Sequence, residues 1–245
     1  MIDDLVKIIF YELSYFQLYG ITFIYFLFLY FVLSLWFLKI CKFLYRKEKL
    51  KIIIKKVVSK KQIQFEKKHS LKSIFIFGFS VIPIVYSVRV GNYELLPDNF
   101  QNFIKGLFAL SVWNEIHFFI VHRIMHFPFF MKRVHKIHHK SKVPTVYSVY
   151  SFHCLEAFLL STVPLTMFAI IPLSATAIFV YPFISVLINY TGHCNYRFGN
   201  GKGKKWFLFA TNHNEHHFFL RKNYAFTFTK LDAYYVIVHN FFKNK

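Results

Sequence analysis

The chain has 245 residues and a formal net charge of +20, from 31 Lys plus Arg against 11 Asp plus Glu, yet 56% of its residues are hydrophobic and 22% aromatic. That apolar content excludes a disordered polycation. The 8 Gly and 7 Pro exclude a collagen-like or linker composition, and three dispersed cysteines (Cys41, Cys154 and Cys194) with no CxxC exclude a disulfide-stapled scaffold.

The apolar residues come in blocks. No charge interrupts Leu13 to Leu38, a run that as a helix crosses a hydrocarbon core of about 30 Å. It is too long for the apolar region of a signal peptide, and no small-residue cleavage site follows it, so it reads as a retained first span. Lys39 to Lys72 then holds 13 Lys or Arg against Glu48 and Glu66. A second apolar block, Ser73 to Val88, contains Pro83, where a kink is expected. A third, from about Phe103 to Val121, carries Lys105, Glu115 and His117. The block Ala157 to Tyr196 has no charge across 40 residues and is punctuated by Pro164, Pro172 and Pro182. It predicts a membrane hairpin broken near Pro172, with a half-inserted pair as the competing reading.

The three basic segments, Lys39–Lys72, Arg123–Lys142 and Arg197–Lys245, hold 28 of the 31 cations, while Asp3, Asp4, Glu12, Glu94 and Asp98 flank the opposite ends of the spans. If the first span runs out-to-in, every basic segment falls on one side, and the positive-inside rule makes that side cytoplasmic. The expectation is a multi-pass, all-α integral membrane protein. It has about four transmembrane helices, two of them as the hairpin 157–190, and both the C-terminus and a helical cap are cytoplasmic. Residues 1–102 hold the N-terminal spans and basic loop; residues 103–245 hold the cap and the hairpin. Topology accounts for the positive charge, so nucleic-acid binding ranks last. The glycine-rich stretch Gly199-Asn200-Gly201-Lys202-Gly203 follows no predicted strand and reads as a loop.

The 13 histidines are patterned. His122 and His126 form HxxxH. His135, His138 and His139 form HxxHH, and His213, His216 and His217 repeat that spacing. On a helix these offsets project imidazoles from one face, and neutral imidazole suits Zn, Cu, Fe and Ni. His153 and His193 bracket the hairpin as candidate further ligands, so the set is large enough for two ions. His69, His117 and His239 stand apart and read as ordinary side chains. Cys154 and Cys194 each follow a histidine of the set and read as structural thiols.

These residues resemble the fatty acid hydroxylase (sterol desaturase) superfamily of membrane oxygenases. The resemblance lies in His122-Arg123-Ile124-Met125-His126, His135-Lys136-Ile137-His138-His139, His153-Cys154-Leu155-Glu156, Gly192-His193, and His213-Asn214-Glu215-His216-His217 followed by Asn223-Tyr224. It covers about Glu115 to Asp232. The family commonly has Pro where this chain has Cys154 and Gly where it has Ala225. The resemblance implies a cytoplasmic histidine cap on about four spans and makes 103–245 the catalytic part. It also implies a non-haem centre of two iron ions, for which zinc substitutes in purified samples. With O2 as co-substrate, that centre puts a hydroxyl or a double bond into a lipid chain or sterol. Ligating histidines usually give their second N–H to a carboxylate or carbonyl, which makes Glu156, Glu115 and Asp232 candidates for orienting them, with Arg123 a candidate partner of such a carboxylate.

The chain carries no haem-binding HPGG, no four-cysteine iron–sulfur spacing and no dinucleotide fingerprint after a strand. An external donor of cytochrome b5, ferredoxin or reductase type is therefore expected. Two other classes compete. A metal transporter would carry ionisable groups near the middle of the membrane, where these spans are nearly free of acids. A catalytically inactive lipid-binding protein would share the fold, but here every box is intact.

Overall fold

The computed structural model describes residues 2–198, 208–220 and 223–243; the Gly199–Gly203 stretch and the side chain of His239 lie outside what is described. Four helical segments are long and apolar enough to cross a membrane. A short helix α1 (Ile2–Lys7) and a π-helical turn lead into α2 (Tyr15–Arg46), which Ser14 and Gln17 close with a reciprocal capping box. The helix runs past the apolar block through Lys39, Lys42 and Arg46, so the first basic residues extend the span into the cap.

The second span begins earlier than hydropathy predicts. Helix α3 (Lys60–Phe77), capped by Ser59, takes in the basic segment from Lys60 to Lys72 and continues after a break as α4 (Ile82–Arg89). The break lies at 78–81, in the turn before Pro83, where a proline's missing N–H and its ring disrupt the helix. Pro83 sits in the first turn of α4, where a missing N–H leaves no bond unmade. At the start of the break Gly78 lies close against α2: a Cβ there would meet the Tyr19 ring at 2.6 Å.

Helix α5 (Phe100–Met125), capped by Asn99, is the third span, and α6 (Pro128–Arg133) turns the chain back over the bundle. The hairpin has unequal limbs. The first is two short helices, α7 (Cys154–Ser161) and α8 (Val163–Phe168), interrupted at Thr162 beside Pro164. Together they reach about 22 Å, short of a full crossing. The second, α9 (Ala175–His193), is the fourth span. The turn between them contains Pro172. Asp98 pins its far side by accepting from the Thr176 backbone N–H (2.9 Å) and hydroxyl (2.5 Å).

At the cap end, β1 (Leu50–Ile52) pairs antiparallel with β2 (Tyr196–Phe198), Lys51 opposite Arg197. Asn195, at φ 58°, redirects the chain from α9 into β2, a conformation asparagine tolerates better than most residues. Helices α10 (Leu208–Phe219) and α11 (Lys230–Lys243) complete the described elements. The N-terminal and C-terminal parts share their packing: α3 lies on α7, and the Tyr190 hydroxyl on α9 donates to Leu29 O on α2 at 2.6 Å. One core cluster surrounds Tyr30, Tyr150 and Tyr190 near the cap; another surrounds Phe10, Leu110 and Ile178 at the far end. Phe16, Ile24, Trp36 and Phe108 stand exposed on the spans. Apolar exposure on this scale needs apolar surroundings, and with the four spans it makes the chain an integral membrane protein.

Candidate metal centre

The last turn of α5 presents His122, and His126 closes that helix, its N–H bonded to His122 O at 3.1 Å. After α6, residues His135–Lys140 form a 3-10 turn. His193 ends α9, and His213, His216 and His217 lie on α10. These elements bring nine of the ten candidate histidines into two groups. His122, His126, His135, His139 and His216 form one; His138, His193, His213 and His217 form the other. Within each group the potential ligand nitrogens lie within 4.8 Å of one another. All nine are buried except the half-buried His126.

The division has a rule. Every i, i+4 pair stays together (122/126, 135/139, 213/217), and the i+3 residue of each HxxHH crosses to the other group. The HxxHH spacing therefore does not serve one face and one ion, as helical geometry alone suggests; each box spans both groups.

His153 joins neither group. It caps α7, its Nδ1 accepting the Leu155 N–H at 3.1 Å. Cys154 is thus the first residue of α7, a position that also suits proline. Cys194 is buried and Cys154 exposed. His117 bonds Thr162 through Nε2 at 3.2 Å, and His69 packs on Phe65.

Several rings are locked from behind. His135 Nδ1 lies 2.8 Å from Glu156 Oε1, His122 Nδ1 2.7 Å from the Tyr224 carbonyl, and His193 Nδ1 2.9 Å from the Asn189 carbonyl. The two carbonyls are pure acceptors, so Nδ1 of His122 and His193 carries the proton and Nε2 turns a lone pair inward. The inward nitrogens approach closely: His126 Nε2 is 3.3 Å from His122 Nε2, 3.3 Å from His139 Nε2 and 3.1 Å from His216 Nε2, and His213 Nε2 is 3.3 Å from His193 Nε2. A cation with metal–nitrogen bonds of about 2.1 Å sets neighbouring ligand nitrogens about 3.0–3.4 Å apart. The buried nitrogens His135 Nε2 and His217 Nε2 have no hydrogen-bond partner. The donor set fits two cations.

Electrostatics agree. Burial, then the neighbouring imidazoles, push His135, His138, His139, His213 and His217 far below the usual histidine range, and burial, His216 and Arg123 bring His126 to about 3. Neutral imidazoles keep their lone pairs for metal. Burial raises the Glu156 carboxyl, and a cation on His135 Nε2 would reverse that by favouring the carboxylate.

The other three expected orienting residues act at a distance. Asp232 accepts from the Tyr224 and Ala225 N–H groups (3.1 and 3.0 Å), holding the loop whose carbonyl meets His122. Glu115 accepts from Thr227 and Phe228 N–H (2.8 and 3.1 Å) and fixes the next stretch. Arg123 lies over the rings of Tyr224 and Tyr235, 4.3 and 3.9 Å from their centroids. The carbonyls behind His122 and His193 carry no side-chain signal; only the Asn-Tyr pair pointed towards one of them. Gly192 is needed for close approach, since a Cβ there would lie 2.7 Å from the Phe226 ring.

Beyond the histidines, on the membrane side, an apolar cavity of about 100 Å³ lies between the spans. Phe118, Phe152 and Phe226 line it and also pack against His122, His138 and His213, with ring centroids 4.9, 4.8 and 4.7 Å apart. Through shared walls at Phe26, Ser80, Pro164 and Pro182 it meets a second cavity of about 200 Å³ towards the far end of the bundle.

A family model described as fatty acid hydroxylase matches residues 107–235, the stretch that holds all ten candidate histidines. The chain belongs to the fatty acid hydroxylase family. Within that superfamily it is 28% identical over 190 residues to a Delta(7)-sterol 5(6)-desaturase of Gibberella zeae, covering 72% of this chain and 56% of the relative. It is 27% identical over 192 residues to the Homo sapiens lathosterol oxidase, covering 71% and 60%. It is 27% identical over 134 residues to a fatty acid hydroxylase of Mycosarcoma maydis, covering 54% and 33%. The matched region thus spans less than two thirds of each of these relatives. No solved structure matches the chain.

Proposed function

We propose that the chain is an O2-dependent oxidoreductase that hydroxylates or desaturates a membrane lipid, with two iron ions held by the two histidine groups. The carrying observation is the juxtaposition of nine imidazoles in two adjacent groups with an apolar cavity between membrane spans. The family match and the lipid-oxidising relatives support the same reading.

Bound there, the metal pair would supply what no side chain can, activation of O2 for removing hydrogen from an unactivated C–H bond. The chain's residues do the rest. The Tyr224 and Asn189 carbonyls hold His122 and His193 in one tautomer, and Glu156 is placed to do the same for His135. Phe118, Phe152 and Phe226 wall the histidines from the cavity, so a lipid there meets the metals across a dry, aromatic surface. Electrons come from an external donor of cytochrome b5, ferredoxin or reductase type, and the clustering of the basic segments supports a cytoplasmic cap.

Comparative lipidomics of cells carrying wild type or His138→Ala tests the activity. An oxygenated or unsaturated lipid present with wild type and lost with the variant is expected. Unchanged lipids, together with purified protein that binds no metal, refute the reading. A reporter fused after Lys243 should register on the cytoplasmic side.

A further inference from the structure

One polar feature of the cavity is unused by the metal chemistry. The cavity wall is largely apolar, with Ser80 and Ser161 on it, and it carries a polar band from α5 and α9, where the Tyr181 hydroxyl donates to Asn114 Oδ1 at 2.6 Å and Ser185 and Asn189 lie alongside. Asn114 precedes His122 by eight residues, about 12 Å along the helix axis. It therefore sits well inside the span, where polar side chains are costly and usually serve a function. Helix-to-helix glue is the plain alternative. At the far end, however, α5 and α9 are already packed without polar help, since a Cβ on Gly106 would lie 2.6 Å from Ala177 Cβ. The bond to Tyr181 also satisfies only one end of the amide. Among the described residues Asn114 Nδ2 has no hydrogen-bond partner, and the residue lines the cavity. Neither cavity is lined by Lys, Arg or His, so a lipid carboxylate would find no counter-charge.

We propose that Asn114, braced by Tyr181, is a specificity-determining residue that hydrogen-bonds an uncharged hydroxyl on the lipid. The protein would then select neutral lipid alcohols over the parent hydrocarbons and over free fatty acids. This rests on the lipid-oxidoreductase reading and adds a substrate class to it. The hydroxyl binds about two helical turns from the histidines, so the carbon presented to the metals is remote from the carbon bearing the hydroxyl.

The test is binding, not turnover. Full-chain protein in nanodiscs is titrated with octadecane, octadecan-1-ol and octadecanoate, and with cholestane and cholestan-3β-ol, while metal content is measured on the same samples. Wild type should bind at least one alcohol about tenfold more tightly than its hydrocarbon, the worth of one hydrogen bond away from water, and more tightly than the carboxylate. Asn114→Leu should remove the preference and leave hydrocarbon binding and metal content unchanged. Tyr181→Phe, which keeps the ring and removes only the brace, should reduce the preference and serves if Asn114→Leu does not fold. Equal binding of alcohol and hydrocarbon by wild type, tighter binding of octadecanoate, or a preference that survives both substitutions overturns the proposal. Loss of the oxidoreductase reading shows separately, as absent metal in wild type.

Discussion

Glu156 offers the sharpest perturbation of the metal centre. It lies in the first turn of α7, 3% exposed, with Oε1 2.8 Å from His135 Nδ1 and Oε2 without a partner. Glu156→Gln keeps the shape and an acceptor oxygen but removes the charge. Hydrogen bonds to a charged group contribute about 1.5–3 kcal/mol against about 0.5–1.5 for neutral ones. The difference, about 1.4 kcal/mol, predicts roughly tenfold weaker metal binding at the group of five histidines. Glu156→Ala also leaves the buried Nδ1–H unpaired and should cost about 100-fold, the upper end for such supporting residues. Glu156 bonds a histidine of the group of five, so the group of four should hold its metal. Purified protein loaded with iron and equilibrated against a chelator series, with metal counted per chain, should lose one of two metals early in the variant. A chelation curve for Glu156→Gln that overlays wild type, or one in which both metals shift equally, would refute the reasoning.

Other expectations follow from geometry already described. Asp232→Ala frees the Tyr224 and Ala225 amides and loosens the carbonyl behind His122, so iron per chain should fall at chelator concentrations about tenfold lower than for wild type; Asp232→Asn, which keeps one acceptor, should fall between. Gly106→Val drives a side chain into Ala177 and should cost about 1–3 kcal/mol as overpacking, seen as a lower melting temperature with unchanged metal content. In metal-free protein, His126 titrates near 3 in the fold and near 6.5 when unfolded. Below about 6.5 the unfolded chain takes up the proton first, so this contribution to stability is complete above that pH and is lost as pH falls towards 3. Chelator-treated protein should therefore melt at a lower temperature at pH 5 than at pH 7.5.

Much of this architecture is written locally, in runs free of charge and in the i, i+4 spacing that delivers imidazoles in pairs. What local pattern could not convey is which pair joins which single histidine. His138 and His139 are neighbours in sequence yet belong to different groups, because the turn that holds them is 3-10 and the partners that sort them lie on α9 and α10. His153 carries the same sequence signal as His193, but an extended backbone at the start of α7 turns its Nδ1 to the Leu155 amide. Likewise nothing in the local pattern shows that Gly78 lies against Tyr19, a contact between spans distant in sequence.

The interleaving of the boxes also bears on how the protein is made. The ligands of each group are dispersed from α5 or the following turn to α10, and α10 is translated after all four spans. No partial chain ending before His216 contains either full set. The spans must insert and pack while their histidines are still bare, and the basic segments must hold the cap ends near the membrane surface meanwhile. A metal held by these groups would then be a late fastening, closing a scaffold whose helices have already found their places.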